Sequence, residues 1–124
     1  HAGSCLEELP RLAREGLQFD LFHIDGGKHT YYRDVLNAHR LRHPADALIV
    51  MDDVNQGGVR RTWERCLREG LVAPAAEFPS MSSSEAHRNE IGRLPALSER
   101  RLALLRVRTS ARESRRQLRR RVGI

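Results

Sequence analysis

Apolar positions gather into two short runs, residues 19–24 (FDLFHI) and 47–51 (ALIVM), and each run ends in acidic residues. The first ends at Asp25 and the second at Asp52-Asp53. Both read as strands. Their apolar and β-branched content suits a parallel sheet with both faces mostly covered, and ALIVM suits a central position. Thr30 is placed to cap a helix that carries Tyr31, Tyr32, Val35, Leu36 and His39 or Arg40 along it, and Pro44 closes the connection. Strand, crossover helix, strand is the unit of a parallel sheet, and ligands of such sheets bind beyond the carboxyl ends of the strands. Three carboxylates stand there.

The flanking pattern fills in the other elements. Ser4 and Glu7 make a capping box, and Leu6, Leu9, Leu12 and Ala13 recur at helical spacing. This predicts a helix over about 5–15, kinked or divided at Pro10 and capped by Gly16. Asp25-Gly26-Gly27 predicts a tight turn that lets a ligand approach the backbone. After the Gln56-Gly57-Gly58 turn, Val59, Trp63, Cys66 and Leu67 mark one face of a helix over about 59–69, ended by Gly70. Two prolines and four serines make 73–84 a loop. Residues 87–94 read as an edge strand and 101–107 (RLALLRV) as the last strand. Ser110 and Glu113 form a second capping box before a basic helix.

Charge changes this picture at one end. The chain has 124 residues and a net charge of +6, yet 1–97 hold 12 basic against 14 acidic residues, and 98–124 hold 10 arginines against two glutamates. The size suits one domain. Read by composition, 1–108 form the domain and 109–124 an Arg-rich tail or helix. Such a tail has a capacity for nucleic acid, with strong salt dependence, or for acidic partners. It contains no aromatic residue for base stacking, and the plainer reading is a solvated basic end. Cys5 and Cys66 lack metal or disulfide-scaffold spacing, which fits a reducing, cytoplasmic setting. No apolar run approaches the roughly 20 residues of a membrane span. The opening HAGSCLEELP reads neither as a signal peptide nor as an initiator-Met start, so a fragment or processed product is expected.

Three segments together resemble class I S-adenosylmethionine-dependent methyltransferases, nearest the small-molecule O-methyltransferases related to macrocin and catechol O-methyltransferase. They are Gly3-Ser4 through Leu9-Pro10-Arg11-Leu12, Phe19-Asp20-Leu21-Phe22-His23-Ile24-Asp25-Gly26-Gly27 with Lys28-His29-Thr30-Tyr31, and Ile49-Val50-Met51-Asp52-Asp53. A Trp-containing helix ending in Glu69-Gly70 also fits. The resemblance covers roughly residues 3–72. Lys28 is one residue more than the usual spacing, so either Lys28 or His29 takes the family's position. The family's glycine-rich loop and the acidic strand end that binds the ribose are not among these residues.

The resemblance implies an α/β chain with a partial Rossmann-like methyltransferase fold: a mostly parallel sheet, flanking helices and a late antiparallel edge strand. It implies methyl transfer from S-adenosylmethionine to a small-molecule hydroxyl, with Ser4, Asp25 and Gly26 on the cofactor. It further implies Mg2+ on Asp25, Asp52 and Asp53, with Asn55 in reserve, and Lys28 or His29 as general base. Such a half-domain leaves a central edge unpaired, so a homodimer or an N-terminal half from the parent is expected to cover it. The chain alone is expected to bind S-adenosylmethionine weakly or not at all. The rival reading is a non-catalytic basic interaction protein. Plainer roles stand beside the site roles: turn formation for Asp25, capping for Asp52 and Asp53, a loop charge for Lys28 and a core position for His23. Two adjacent carboxylates at a strand end repel each other, which a cation relieves.

Overall fold

A strand–helix–strand unit lies at the centre of the computed structural model, which describes residues 5–78, 81–84 and 87–123. Strand β1 (Leu21–Ile24) leads through a 3-10 turn (Lys28–Thr30) into α2 (Tyr31–Leu41) and then β2 (Leu48–Met51); helix α1 (Cys5–Arg14) precedes them. β1 and β2 pair in parallel, Leu21 opposite Leu48 and Ile24 opposite Met51. Helix α3 (Gly57–Arg68) follows, then β3 (Ala73–Pro74), β4 (Met81–Ser84), β5 (His87–Arg93) and the 23-residue α4 (Glu99–Arg121).

The sheet order is β1-β2-β5-β3, with β4 also on β5. Only the β1–β2 pair is parallel; β5 runs antiparallel to β2, β3 and β4. The expected mostly parallel sheet is therefore mixed. A parallel neighbour needs a crossover of a dozen or more residues, usually helical, whereas the chain after α3 returns through short strands. β5 is also interior rather than an edge, and 73–84, read as loop, contributes β3 and β4.

Burial alternates along β1 and β2. Ile24, Ile49 and Met51 are buried, while Leu21 is 58% exposed and His23 is exposed. Residues paired across strands share a face. The covered face therefore holds Ile24, Ile49, Met51 and Gly92 of β5, and it packs on Tyr31, Val35 and Leu36 of α2 and on Val59, Trp63 and Cys66 of α3. The expectation that both faces of β1 are covered is overturned, because all the core-forming helical residues gather on one side.

Helix α1 packs on α2, accommodates Pro10, and ends at Gly16, whose φ of 77° is the left-handed geometry glycine favours. Residues 101–107, expected as a strand, lie inside α4. Leu102, Leu105 and Thr109 recur at helical spacing, Ser98 Oγ accepts from the Arg101 N–H at 3.2 Å, and no glycine or proline intervenes before Gly123. Ser110 and Glu113 consequently sit mid-helix instead of capping one, and both bind Arg33 of α2. The same helix runs unbroken across position 108. Among the described residues no helix is long and apolar enough to cross a membrane.

Candidate cation site at the strand ends

Parallel pairing brings the carboxyl ends of β1 and β2 to one edge, and the Asp52 N–H donates to the Ile24 carbonyl at 3.0 Å. Asp25 and Asp52 thus leave neighbouring strands side by side. His23 precedes Asp25 by two residues, the spacing that returns a strand side chain to the same face. One ligand atom each from His23, Asp25 and Asp52 lies within 4.8 Å of the others. Donors about 2.1 Å from a small divalent cation stand roughly 3–4.2 Å apart in an octahedron, so this spread fits one cation after modest adjustment. Two exposed groups and one half-buried group leave room for retained water.

Asp53, expected in this set, is elsewhere. Its backbone has a φ of 57°, and Asp52 Oδ1 accepts from its N–H at 2.9 Å. That turn carries the carboxylate, 6% exposed, onto the Lys28 ammonium. Lys28 also donates to the Tyr31 hydroxyl at 3.0 Å, sits 5.2 Å from the centre of the Tyr31 ring and lies 3.9 Å from Asp25 Oδ1. Asp53 and then Tyr31 push the Lys28 amine above its ordinary range. A base must shed its proton first, so this geometry makes Lys28 a counter-ion and leaves His29 as the candidate base.

Beside the cluster is a cleft of about 380 Å3 between α1, β1 and the start of α2, reached by His23, Asp25, His29 and Asp34 and backed by Leu9 and Phe22. His29 folds over Gly27; a Cβ there would lie 3.0 Å from its Cε1. Gly26 has open space where a side chain would be, so no contact there demands glycine. Ser4 lies outside the described residues. Thr30 occupies the N-cap position of α2 without capping it. Its hydroxyl instead lies 2.8 Å from the Gly27 carbonyl and 3.0 Å from Asp34 Oδ2, and its one proton serves one of them at a time.

Two residues gain a place that their sequence reading did not give them. His23, read as a core histidine, is exposed in the cluster; its shared parity with Asp25 was the available signal. Asp34 is 4% exposed, and its Oδ1 has no partner among the described residues. Burial raises its carboxyl pKa, against the opposing effects of Thr30 and His29. The chain matches no protein-family model and no curated protein sequence.

Proposed function

We propose that this chain carries the cation-binding and acceptor side of a small-molecule O-methyltransferase site. The observation that carries the reading is the gathering of His23, Asp25 and Asp52 at the ends of two parallel strands, beside a cleft. A bound divalent cation supplies Lewis-acid polarisation, which lowers the pKa of a hydroxyl. His23, Asp25 and Asp52 hold it. Lys28 neutralises Asp53 and keeps that carboxylate out of the coordination set. His29 takes the acceptor's proton at an imidazole nitrogen, and the Leu9–Phe22 wall seats the acceptor's apolar body.

S-adenosylmethionine fits these residues only in part. Asp25 and Gly26 stand at one rim of the cleft, and among the described residues no glycine-rich loop or ribose-binding carboxylate accompanies them. A second copy or an N-terminal half, adding a strand at the outer edge of β1, completes the site in this reading. The buried free thiol of Cys66, its pKa pushed up to about 12 by burial, suits a reducing cytoplasm.

Calorimetric titration with MgCl2 and MnCl2 tests the proposal. One saturable site is expected, weakened at least about ten-fold by Asp25→Asn and by Asp52→Asn. Absence of cation binding by the folded chain, or equal binding by both variants, overturns it. S-adenosylmethionine alone is expected to show no micromolar binding.

A further inference from the structure

Arg106 of α4 is the one arginine among the described residues with a solvent-excluded nitrogen lacking a hydrogen-bond partner: its Nη2. Its guanidinium is half-buried, and burial, together with the neighbouring Arg40 charge, disfavours its charged form. An unpaired, partly desolvated cation beside a like charge is costly unless an anion joins it.

A cleft of about 450 Å3 opens at this point between α1, α2 and α4, lined by Pro10, Arg33, Asn37, Arg40, Arg106 and Glu113. Arg33, Asn37 and Arg40 follow one another at helical spacing on α2, and Arg106 and Glu113 stand two turns apart on α4. Arg33 is already engaged, with Nε donating to Glu113 Oε1 at 2.8 Å and Nη2 3.4 Å from Ser110 Oγ. Setting that pair aside leaves Arg40 and Arg106, two positive charges, with the Asn37 amide beside them. The cleft is larger than a single oxyanion needs, and a phosphate monoester carries about −1.5 to −2 charges at neutral pH.

We propose that this cleft binds a phosphate monoester, with Arg40 and Arg106 on the phosphate and the rest of the ligand along the Pro10 wall. The oxyanion supplies the counter-charge that Arg106 lacks and relieves its repulsion with Arg40. Guanidinium groups suit this role through paired N–H donors. The proposal does not depend on the cation cluster or on methyl transfer.

Inorganic phosphate is the probe, titrated at constant ionic strength by calorimetry and by thermal unfolding. Saturable binding and a rise in melting temperature are expected. Arg40→Gln and Arg106→Met each weaken binding about ten-fold or more, as loss of one charge-assisted hydrogen bond requires. Arg108→Gln, on the same helix outside the cleft, leaves it unchanged. Arg106→Met has a second signature: in phosphate-free buffer it melts no lower than the parent, since it removes an unpaired charge. No saturable binding, or equal weakening by Arg108→Gln, overturns the proposal. An unphosphorylated single-stranded oligonucleotide separates the two sources of phosphate. It is expected not to compete; competition that empties the cleft transfers the site to a nucleic-acid backbone and overturns the monoester assignment.

Discussion

The two faces of the sheet differ more than any two strands in it. On one face, Ile24, Ile49 and Met51 are almost wholly buried against α2 and α3. On the other, Leu21 is 58% exposed, His23 is exposed, and Leu48 and Val50 are only half-buried. Both faces draw on the same two apolar runs. The difference shows that an apolar run specifies a strand without specifying how many layers cover it. It also bears on the candidate site: His23 stands exposed beside Asp25 and Asp52 because, among the described residues, no helix packs on its face.

The largest test of that contrast compares one residue from each face. Ile49→Ala removes a fully buried side chain and is expected to cost about 2–5 kcal/mol. Leu21→Ala, on the open face, is expected to change stability by no more than about 0.5 kcal/mol. Urea unfolding of both variants measures the gap. A Leu21→Ala loss approaching that of Ile49→Ala breaks the comparison, because something in solution then covers the open face, and a second copy becomes the first suspect. Sedimentation of the same samples identifies it.

A smaller effect comes from the covered face of β5. Gly92 stands opposite Ile49, and a Cβ there would lie 2.3 Å from Val72 Cγ1, 2.9 Å from the Ala73 carbonyl and 3.1 Å from the Trp63 ring. The backbone carbonyl has little room to move, so Gly92→Ala is expected to destabilise by about 1–3 kcal/mol through overpacking. The control is Gly26→Ala, where nothing lies within 4 Å and little change is expected. A neutral Gly92→Ala would show that the β3–β5 layer is looser than its contacts imply.

How far the sequence discloses this molecule follows from the same contrast. Helix α1, the β1–α2–β2 unit and α3 are legible because each has a clean period and clear ends, such as Gly16 after α1 and Gly70 after α3, which both take positive φ. The meeting of Asp25 and Asp52 is legible too, since parallel strands must end together. The place of Asp53 is not, because a left-handed turn at a non-glycine residue leaves no trace in composition. Residues 101–107 mislead in a different way. LALL satisfies a strand and a helix equally, and only the longer spacing of Leu102, Leu105 and Thr109 decides. The buried Asp34 depends on how α1 packs over α2, a tertiary fact that no local pattern reports.

Two histidines repeat the contrast between the faces in a single residue type. His23 was the one expected in the core, yet His39 of α2 is the buried one, 6% exposed. Its Nε2–H donates to the Leu71 carbonyl at 2.6 Å, and its Nδ1 has no partner among the described residues. Burial lowers its pKa below the ordinary value, opposed by the Leu71 hydrogen bond and assisted by Arg42. The unfolded chain therefore binds this proton more readily than the folded one. The neutral imidazole's contribution is fully present above about pH 6.5 and is lost as pH falls through the folded pKa. His39→Gln retains an amide donor and does not titrate. It is expected to cost about 1 kcal/mol at pH 8 and to flatten the decline in stability below pH 6.5. Asp34 does not confuse the comparison: its raised pKa gives the opposite slope, and it titrates alike in both proteins. Urea midpoints at several pH values between 5 and 8 read out the difference. A decline that survives unchanged in His39→Gln assigns the acid sensitivity to another group and leaves His39 a packing residue.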